Sequence, residues 1–305
     1  MVIQAEGLSK RFGDRTAVSD LTFTVRPGYV TGFLGPNGAG KSTTMRMLVG
    51  LDRPSEGRAT IAGAPFVSHA APMRVAGALL DSSFYHPGRS PRTHLRALAL
   101  THGISRRRVD EVLEIVGLSE VATKRAGGFS LGMRQRFGLA TALLGDPGTL
   151  ILDEPFNGLD PEGIRWLRDL LQGVAGEGRT VMVSSHLLSE MSELADRVLV
   201  IGRGELIADT TMAEFTGRGR VFRVTCSDAL LLARALRADG GDCSQLSART
   251  LDVSGVSRDG IAFTAAEQAI EVFEVLPQGR SLEETFVQLT QDAVEYRGSA
   301  KGGGL

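Results

Sequence analysis

The sequence of 305 residues predicts an α/β fold with a smaller α+β domain at its C-terminal end. One observation is a short apolar run at 29–34, which is followed by a glycine-rich stretch and then by apolar residues at helical spacing over 43–49. The second is an uncharged run at 149–152 that ends in Asp153 and Glu154. Such a run is typical of a buried parallel strand, and open α/β sheets bind ligands at the C-terminal edge of these strands.

The chain is predicted to divide into two domains, since its length exceeds that of a typical single domain. Residues 1–216 form the larger domain and residues 220–295 the smaller one, with the flexible pair Gly217 and Gly219 at the boundary. Residues 299–305 include three successive glycines and are expected to form a flexible tail.

Composition excludes several classes of protein. A formal charge of −1 gives no electrostatic reason to expect nucleic-acid binding. The two cysteines, Cys226 and Cys243, form neither a disulfide framework nor a metal site, and we expect buried thiols in a reducing compartment. The first residues lack the pattern of a signal peptide, and no run approaches the ~18 apolar residues of a membrane-spanning helix. Any role at a membrane is therefore expected to need a partner chain.

The strands predicted in the larger domain are short and either alternating or wholly apolar. They lie at 2–8, 17–25, 29–34, 58–62, 75–80, 149–152, 179–184, 197–201 and 205–208. The first two are expected to pair antiparallel across a turn at 12–14. The helices show helical apolar spacing and end signals such as N-caps or proline in the first turn, and they lie at 43–49, 90–102, 106–116, 131–144 and 161–174.

The smaller domain is predicted to follow a β-α-β-β-α-β order, the split βαβ arrangement. Its strands are expected at 221–226, near 243–246, at 250–253 and at 272–276, and its helices at 229–236, 261–270 and 282–289.

The glycine-rich stretch satisfies the pattern G-x-x-x-x-G-K-[ST] between a strand and a helix, with the residues Gly35, Pro36, Asn37, Gly38, Ala39, Gly40, Lys41, Ser42 and Thr43. Glycines let the backbone turn its N–H groups around a polyphosphate, and the helix that follows points the positive end of its dipole at the same phosphates. Lys41 is expected to reach the β- and γ-phosphates, and the Ser42 hydroxyl to bind Mg²⁺. An ordinary glycine turn is the alternative, but every fixed position of the pattern is filled.

Side chains at other predicted strand ends complete a candidate site. Asp153 is placed to hold Mg²⁺ directly or through water, and Glu154 to polarise an attacking water. A solvated acidic turn would be the favoured interpretation if the phosphate loop were absent. His186 follows the strand at 179–184, and functional and structural roles are equally supported. Phe12 is predicted to be a loop aromatic, and either a platform for adenine or a small strand-end cluster explains it.

Residues 2–216 resemble the ATP-binding-cassette (ABC) family. The resemblance depends on four features in this order along the chain: the phosphate loop, the segment 129–133, the acidic strand end and His186. The segment reads Phe-Ser-Leu-Gly-Met where the family has its signature, Leu-Ser-Gly-Gly-Gln. The resemblance assigns ATP contacts to Phe12, the loop residues 35–43, Ser130, Gly132 and Asp160, metal contacts to Ser42, Asp153 and Asp81, and catalysis to Glu154 and His186.

The resemblance implies a phosphate-loop ATPase fold with a mixed central sheet, an antiparallel β-subdomain and a helical subdomain that carries the signature. It also implies an ATPase subunit of a membrane transporter, dependent on ATP and Mg²⁺. Two copies, or one copy and a related cassette, would face head to tail, so that Ser130 and Gly132 touch the γ-phosphate bound by the partner. Separate chains would span the membrane, with the ATPase on its cytoplasmic face and no nucleic acid involved.

Some residues depart from the family pattern. Leu131 and Met133 replace a Gly and a Gln of the signature. Asp81 stands where the family has a Gln, and it is expected either to contact Mg²⁺ or to face solvent as a loop residue. The segments 84–90 and 281–286 resemble the antibiotic-resistance and drug-export branch, so we expect an exporter. The alternatives are a nucleotide-binding regulator without steady turnover and an ABC ATPase that acts outside transport, on ribosomes or DNA.

Overall fold

The computed structural model describes residues 1–81, 85–186, 188–217 and 221–278. These residues form two compact units, one spanning Met1–Met212 and a second that begins at Ala213. The predicted helix at 282–289, the tail at 299–305 and the segment 281–286 lie outside the described residues, as does Phe84. The assignment of the two domains to 1–216 and 220–295 stays a prediction.

The first unit contains two sheets. The smaller sheet has the order β2-β1-β4, with all neighbours antiparallel. Its strands are β1 (Ile3–Phe12), β2 (Arg15–Val25) and β4 (Glu56–Ile61). The larger sheet has the order β5-β6-β7-β3-β8-β9, in which all neighbours are parallel except β8 and β9. Its strands are β3 (Val30–Leu34), β5 (Ala76–Leu79), β6 (Thr149–Leu152), β7 (Thr180–Ser185), β8 (Arg197–Gly202) and β9 (Glu205–Thr211).

The α-helices up to residue 217 alternate with these strands or follow them along the chain. They are α1 (Lys41–Leu48), α2 (Pro72–Val75), α3 (Pro91–Thr101), α4 (Arg106–Ile115), α5 (Leu131–Leu143), α6 (Pro161–Gly176), α7 (Leu188–Leu194) and α8 (Met212–Gly217). Within the described residues, no helix combines the length and the apolar composition needed to span a bilayer.

The mixed central sheet, the antiparallel β-subdomain and the helical subdomain agree with the predicted fold. One apolar core joins both sheets to α1 and includes Phe33, Met45 and Ile151. In the helical subdomain, α3 packs on α4 and α4 on α5. Arg108 donates to the carbonyl of Leu143 at 2.9 Å and thereby fastens α4 to the end of α5.

The second unit is a four-stranded antiparallel sheet with the order β11-β12-β10-β13. Its elements follow one another as β10 (Val221–Cys226), α9 (Ala229–Ala238), β11 (Asp242–Gln245), β12 (Thr250–Ser254), α10 (Arg258–Glu267) and β13 (Val272–Gln278). This is the order of a split βαβ arrangement. Cys226 and Cys243 are free, buried thiols, as expected, and burial raises the pKa of both.

Several local predictions were wrong. Phe12 is the last residue of β1, paired with Arg15, because the turn needs only Gly13 and Asp14. Helix α10 begins three residues earlier than predicted because the hydroxyl of Ser257 caps it, accepting from the N–H of Gly260 at 3.1 Å. Helix α7 was not predicted at all.

Helix α5 and strand β5 touch backbone to backbone at Gly77. A Cβ built on Gly77 would lie 1.9 Å from the carbonyl oxygen of Ala142. Gly77→Ala should therefore lower the free energy of unfolding by about 1–3 kcal/mol or more, since the two elements would have to separate. Gly173→Ala in α6 is the matched control, because its Cβ meets nothing within 4 Å and the change should be stabilising by about 0.5–1 kcal/mol. Urea unfolding measures both, and equal midpoints would contradict the close contact.

Candidate functional site

The glycine-rich loop leaves β3 and enters α1 in a conformation that requires its glycines. Gly38 has φ +82° and Gly40 has φ +101°, in the left-handed region that favours glycine. A Cβ on Gly40 would lie 2.6 Å from the carbonyl oxygen of Ala17, and one on Gly35 would lie 2.6 Å from that of Ile201. The loop can keep this shape only with hydrogen at these positions.

The N-terminal end of α1 follows directly after the glycine-rich loop. Gly40 is the N-cap of this helix and supplies no side-chain cap. The first-turn N–H groups therefore have neither an intrahelical partner nor a capping oxygen, and they form an anion-binding end together with the helix dipole. This geometry fits a polyphosphate.

Lys41 is a buried cation at the centre of the site. Its side chain is 7% exposed, and its ammonium donates to the carbonyl of Gly35 at 2.6 Å. The ammonium also lies 3.8 Å from Oε1 of Glu154. Burial lowers the pKa of Lys41, and the negative charges of Glu154 and Asp153 oppose this effect only in part. A bound anion would offset the same burial cost.

A cavity of about 500 Å³ opens above the loop. Its walls are formed by Phe12, Arg15, Ala17, Glu154 and the loop residues Pro36, Asn37, Gly38, Ala39, Gly40, Lys41, Ser42 and Thr43. Phe12 is 52% exposed, and the ammonium of Lys10 lies 5.0 Å from the centroid of its ring. One ring face therefore meets a cation, and the exposed part of the ring can stack on a base.

Glu154 lies where the carboxylate can act on a molecule in this cavity. Its Oε2 is 2.8 Å from Nδ1 of His186, and its side chain is 22% exposed. His186 donates to the carboxylate when Nδ1 carries the proton. The pair joins the ends of β6 and β7 beside Lys41.

Asp153, the residue before Glu154, is held by two hydrogen bonds. The hydroxyl of Ser184 donates to its Oδ1, and its own N–H donates to the carbonyl of Leu79 at 2.7 Å. Among the described residues, no three His, Cys, Asp or Glu side chains cluster as a metal site. Mg²⁺ is commonly held by one or two carboxylates together with waters and substrate phosphates. The Ser42 hydroxyl lines the cavity and Asp153 lies outside its wall, next to Glu154, and the oxygen donors of both residues have the chemistry that Mg²⁺ takes.

Comparisons with known proteins agree with this geometry. Residues 18–157 match the ABC transporter family. The chain is 41% identical over 224 residues to the bacitracin transport ATP-binding protein BcrA of Bacillus licheniformis, covering 72% of this chain and 73% of that protein. It is 34% identical over 303 residues to the daunorubicin resistance ATP-binding protein DrrA3 of Streptomyces coeruleorubidus, covering 95% and 96% of the two chains. The chain belongs to the ABC transporter ATP-binding proteins. It is an ATP-hydrolysing subunit of a transporter.

The fold and the second unit each resemble known proteins. A dimeric bacterial ABC transporter cassette has a TM-score of 0.63 to this chain at 20% identity, which shows a shared fold. The match covers 69% of this chain and 98% of that one. Residues 220–283 match a domain of unknown function, DUF8746. The alternatives of a regulator without turnover and of an ABC ATPase outside transport are not favoured.

Four of the predicted ATP contacts do not line the cavity of their own chain, namely Gly35, Ser130, Gly132 and Asp160. Ser130 caps α5, its hydroxyl accepting from the N–H of Met133 at 3.2 Å. Asp160 caps α6, its Oδ1 accepting from the N–H of Gly163 at 2.8 Å. Gly132 packs so closely on the loop between β6 and α6 that a Cβ on it would lie 2.8 Å from the carbonyl oxygen of Gly158. Their contacts to ATP stay predictions.

Asp81 is exposed, two residues after the end of β5, and does not line the cavity. Its contact with Mg²⁺ stays a prediction.

Three residues of the site were not predicted from the sequence. Arg15 lines the cavity, and Gln135 and Ser184 hold the backbone of Glu154. Gln135 follows the signature segment by two residues and Ser184 precedes His186 by two, but residue type alone did not indicate these contacts.

Phe12→Ala should weaken ATP binding by about ten-fold, because stacking of a base on an aromatic ring contributes roughly 1–3 kcal/mol. Calorimetry with a non-hydrolysable ATP analogue measures the dissociation constant. Tyr29→Ala is the matched control, an aromatic residue that is 48% exposed and lies outside the cavity wall. Identical affinities of the two variants for the ATP analogue would show that Phe12 does not contribute to ATP binding.

Proposed function

We propose that this ABC ATPase energises the export of an antibiotic or a similar drug, bound to separate membrane-spanning subunits at the cytoplasmic face of the membrane. The observation that carries the proposal is the alignment with the daunorubicin resistance protein, which covers 95% of the chain and so extends through the second unit. Bacitracin transport is named for a second relative.

The residues around the cavity support a distinct role for each side chain in ATP hydrolysis. Lys41 and the backbone N–H groups of the loop hold the phosphates of ATP. Glu154 orients a water for attack on the γ-phosphorus, as the bond from this phosphorus to the β,γ-bridging oxygen breaks and the water proton is taken up by the carboxylate. His186 holds the Glu154 carboxylate from the other side at 2.8 Å. A Mg²⁺ ion on Asp153 and Ser42 would neutralise charge on the phosphate oxygens.

The placement of Ser130, Gly132 and Asp160 supports a head-to-tail pair. Ser130 and Asp160 are exposed N-caps of α5 and α6, and neither lines the cavity of its own chain. In a head-to-tail pair, each chain would supply its phosphate loop and the other chain its Ser130 and Gly132. A solved cassette of the same fold is dimeric, which supports such a pairing.

Glu154→Gln should retain ATP binding and lose hydrolysis by at least about a hundred-fold, because an amide keeps the shape but cannot accept the proton of the water. The variant should accumulate as an ATP-bound dimer. Phosphate release and size-exclusion chromatography with ATP measure the two effects. Undiminished hydrolysis together with a monomeric elution volume would rule out the role given to Glu154.

Export is tested in cells that produce the chain together with the membrane-spanning subunits from its neighbouring genes. The wild type should raise the concentration of daunorubicin or bacitracin that stops growth by several fold, and Lys41→Ala should not, because the variant cannot hold the phosphates. Unchanged sensitivity to these and a wider panel of antibiotics would contradict drug export while leaving the ATPase assignment in place.

A further inference from the structure

The backbone of Glu154 is held on both sides by side chains from other elements. Its N–H donates to the hydroxyl of Ser184 on β7 at 2.9 Å, and its carbonyl accepts from the amide of Gln135 on α5 at 3.1 Å. Between these bonds Glu154 has φ +48°, which is uncommon for a residue other than glycine. Such a conformation persists where the surroundings hold it in place, and here two hydrogen bonds do so.

Gln135 is buried and makes this bond away from the cavity. It is 4% exposed and does not line the cavity wall. A buried amide that has found a carbonyl partner is costly to disturb, because the partner would be left unsatisfied. The bond therefore ties the peptide of Glu154 to the position of α5.

Helix α5 is also the helix that begins at Ser130. Gln135 lies five residues after this N-cap, within the second turn. A rigid helix transmits a displacement of its first turn to its second, and Gly132 packs directly on the loop at Gly158. A contact at the exposed start of α5 can therefore reach the backbone of Glu154 through one side chain.

We propose that Gln135 is a positioning residue for ATP hydrolysis, which links the placement of Glu154 to contacts made at Ser130 on the same helix. The inference rests on the proposed function, because it takes Glu154 as the group that orients water and Ser130 as a contact to the partner's nucleotide. Engagement of α5 by the partner's ATP then sets the direction of the carboxylate in the chain to which α5 belongs.

Gln135→Met tests this role, because methionine has a similar length and volume and lacks the donor. We expect kcat to fall about ten-fold or more, since a small misplacement of a catalytic group has a large effect on rate. The KM for ATP and the ATP-dependent dimer should stay within about two-fold of the wild type, because the buried side chain of Gln135 does not line the cavity. Gln135→Glu, which cannot donate when ionised, is the second variant and should show the same split.

Gln172→Met is the matched control. Its amide also donates to a backbone carbonyl, that of Glu193, at 3.2 Å, but at an exposed position on α6. This variant should hydrolyse ATP like the wild type. A kcat for Gln135→Met and Gln135→Glu within two-fold of this control would overturn the proposal. So would a parallel loss of ATP binding and dimer formation, or a failure of both variants to fold, since Gln135 would then be a structural residue.

Glu154→Gln in the same assays separates this inference from the proposed function. If Glu154→Gln hydrolyses ATP normally, the proposed catalytic role fails and the inference fails with it. If Glu154→Gln is inactive and both Gln135 variants are as active as Gln172→Met, only the positioning role fails.

Discussion

The buried ammonium of Lys41 is the charge on which the arrangement of the nucleotide site depends. A cation in the interior is costly unless it is paired and hydrogen-bonded, and here the carbonyl of Gly35 and the carboxylate of Glu154 serve that purpose. Burial still lowers the pKa of Lys41. The site therefore gains by binding an anion, and the uncapped start of α1 faces the same space.

The order of the larger sheet meets this requirement. Strands β6, β7 and β3 are neighbours and parallel, so their C-terminal ends lie at one edge. Glu154 follows β6, His186 follows β7, and the loop with Lys41 follows β3. Three segments far apart in the sequence are thereby brought together: the loop and Glu154 line one cavity, and His186 contacts the carboxylate of Glu154.

The sequence predicted the parts of the site that depend on local patterns. The phosphate loop has every position of a specific motif, and strands such as β6 are marked by apolar runs with charged ends. The contacts of Gln135 and Ser184 depend on how α5 and β7 pack on Glu154, which no local pattern records. Helix α7 was missed because its seven residues are too few for a clear helical period, although Leu188, Met191 and Leu194 are buried. The second unit was predicted in its order of elements, but the start of α10 depended on a serine cap.

In the head-to-tail pair that we propose, each chain contains half of each hydrolysis site. Mixing Ser130→Arg chains with Lys41→Ala chains tests it most directly, because a head-to-tail pair of the two variants has one site with an intact loop from one chain and an intact signature segment from the other. The mixture should bind ATP more tightly, and hydrolyse it faster, than either variant alone. Binding and turnover equal to those of the separate variants would contradict the head-to-tail pairing.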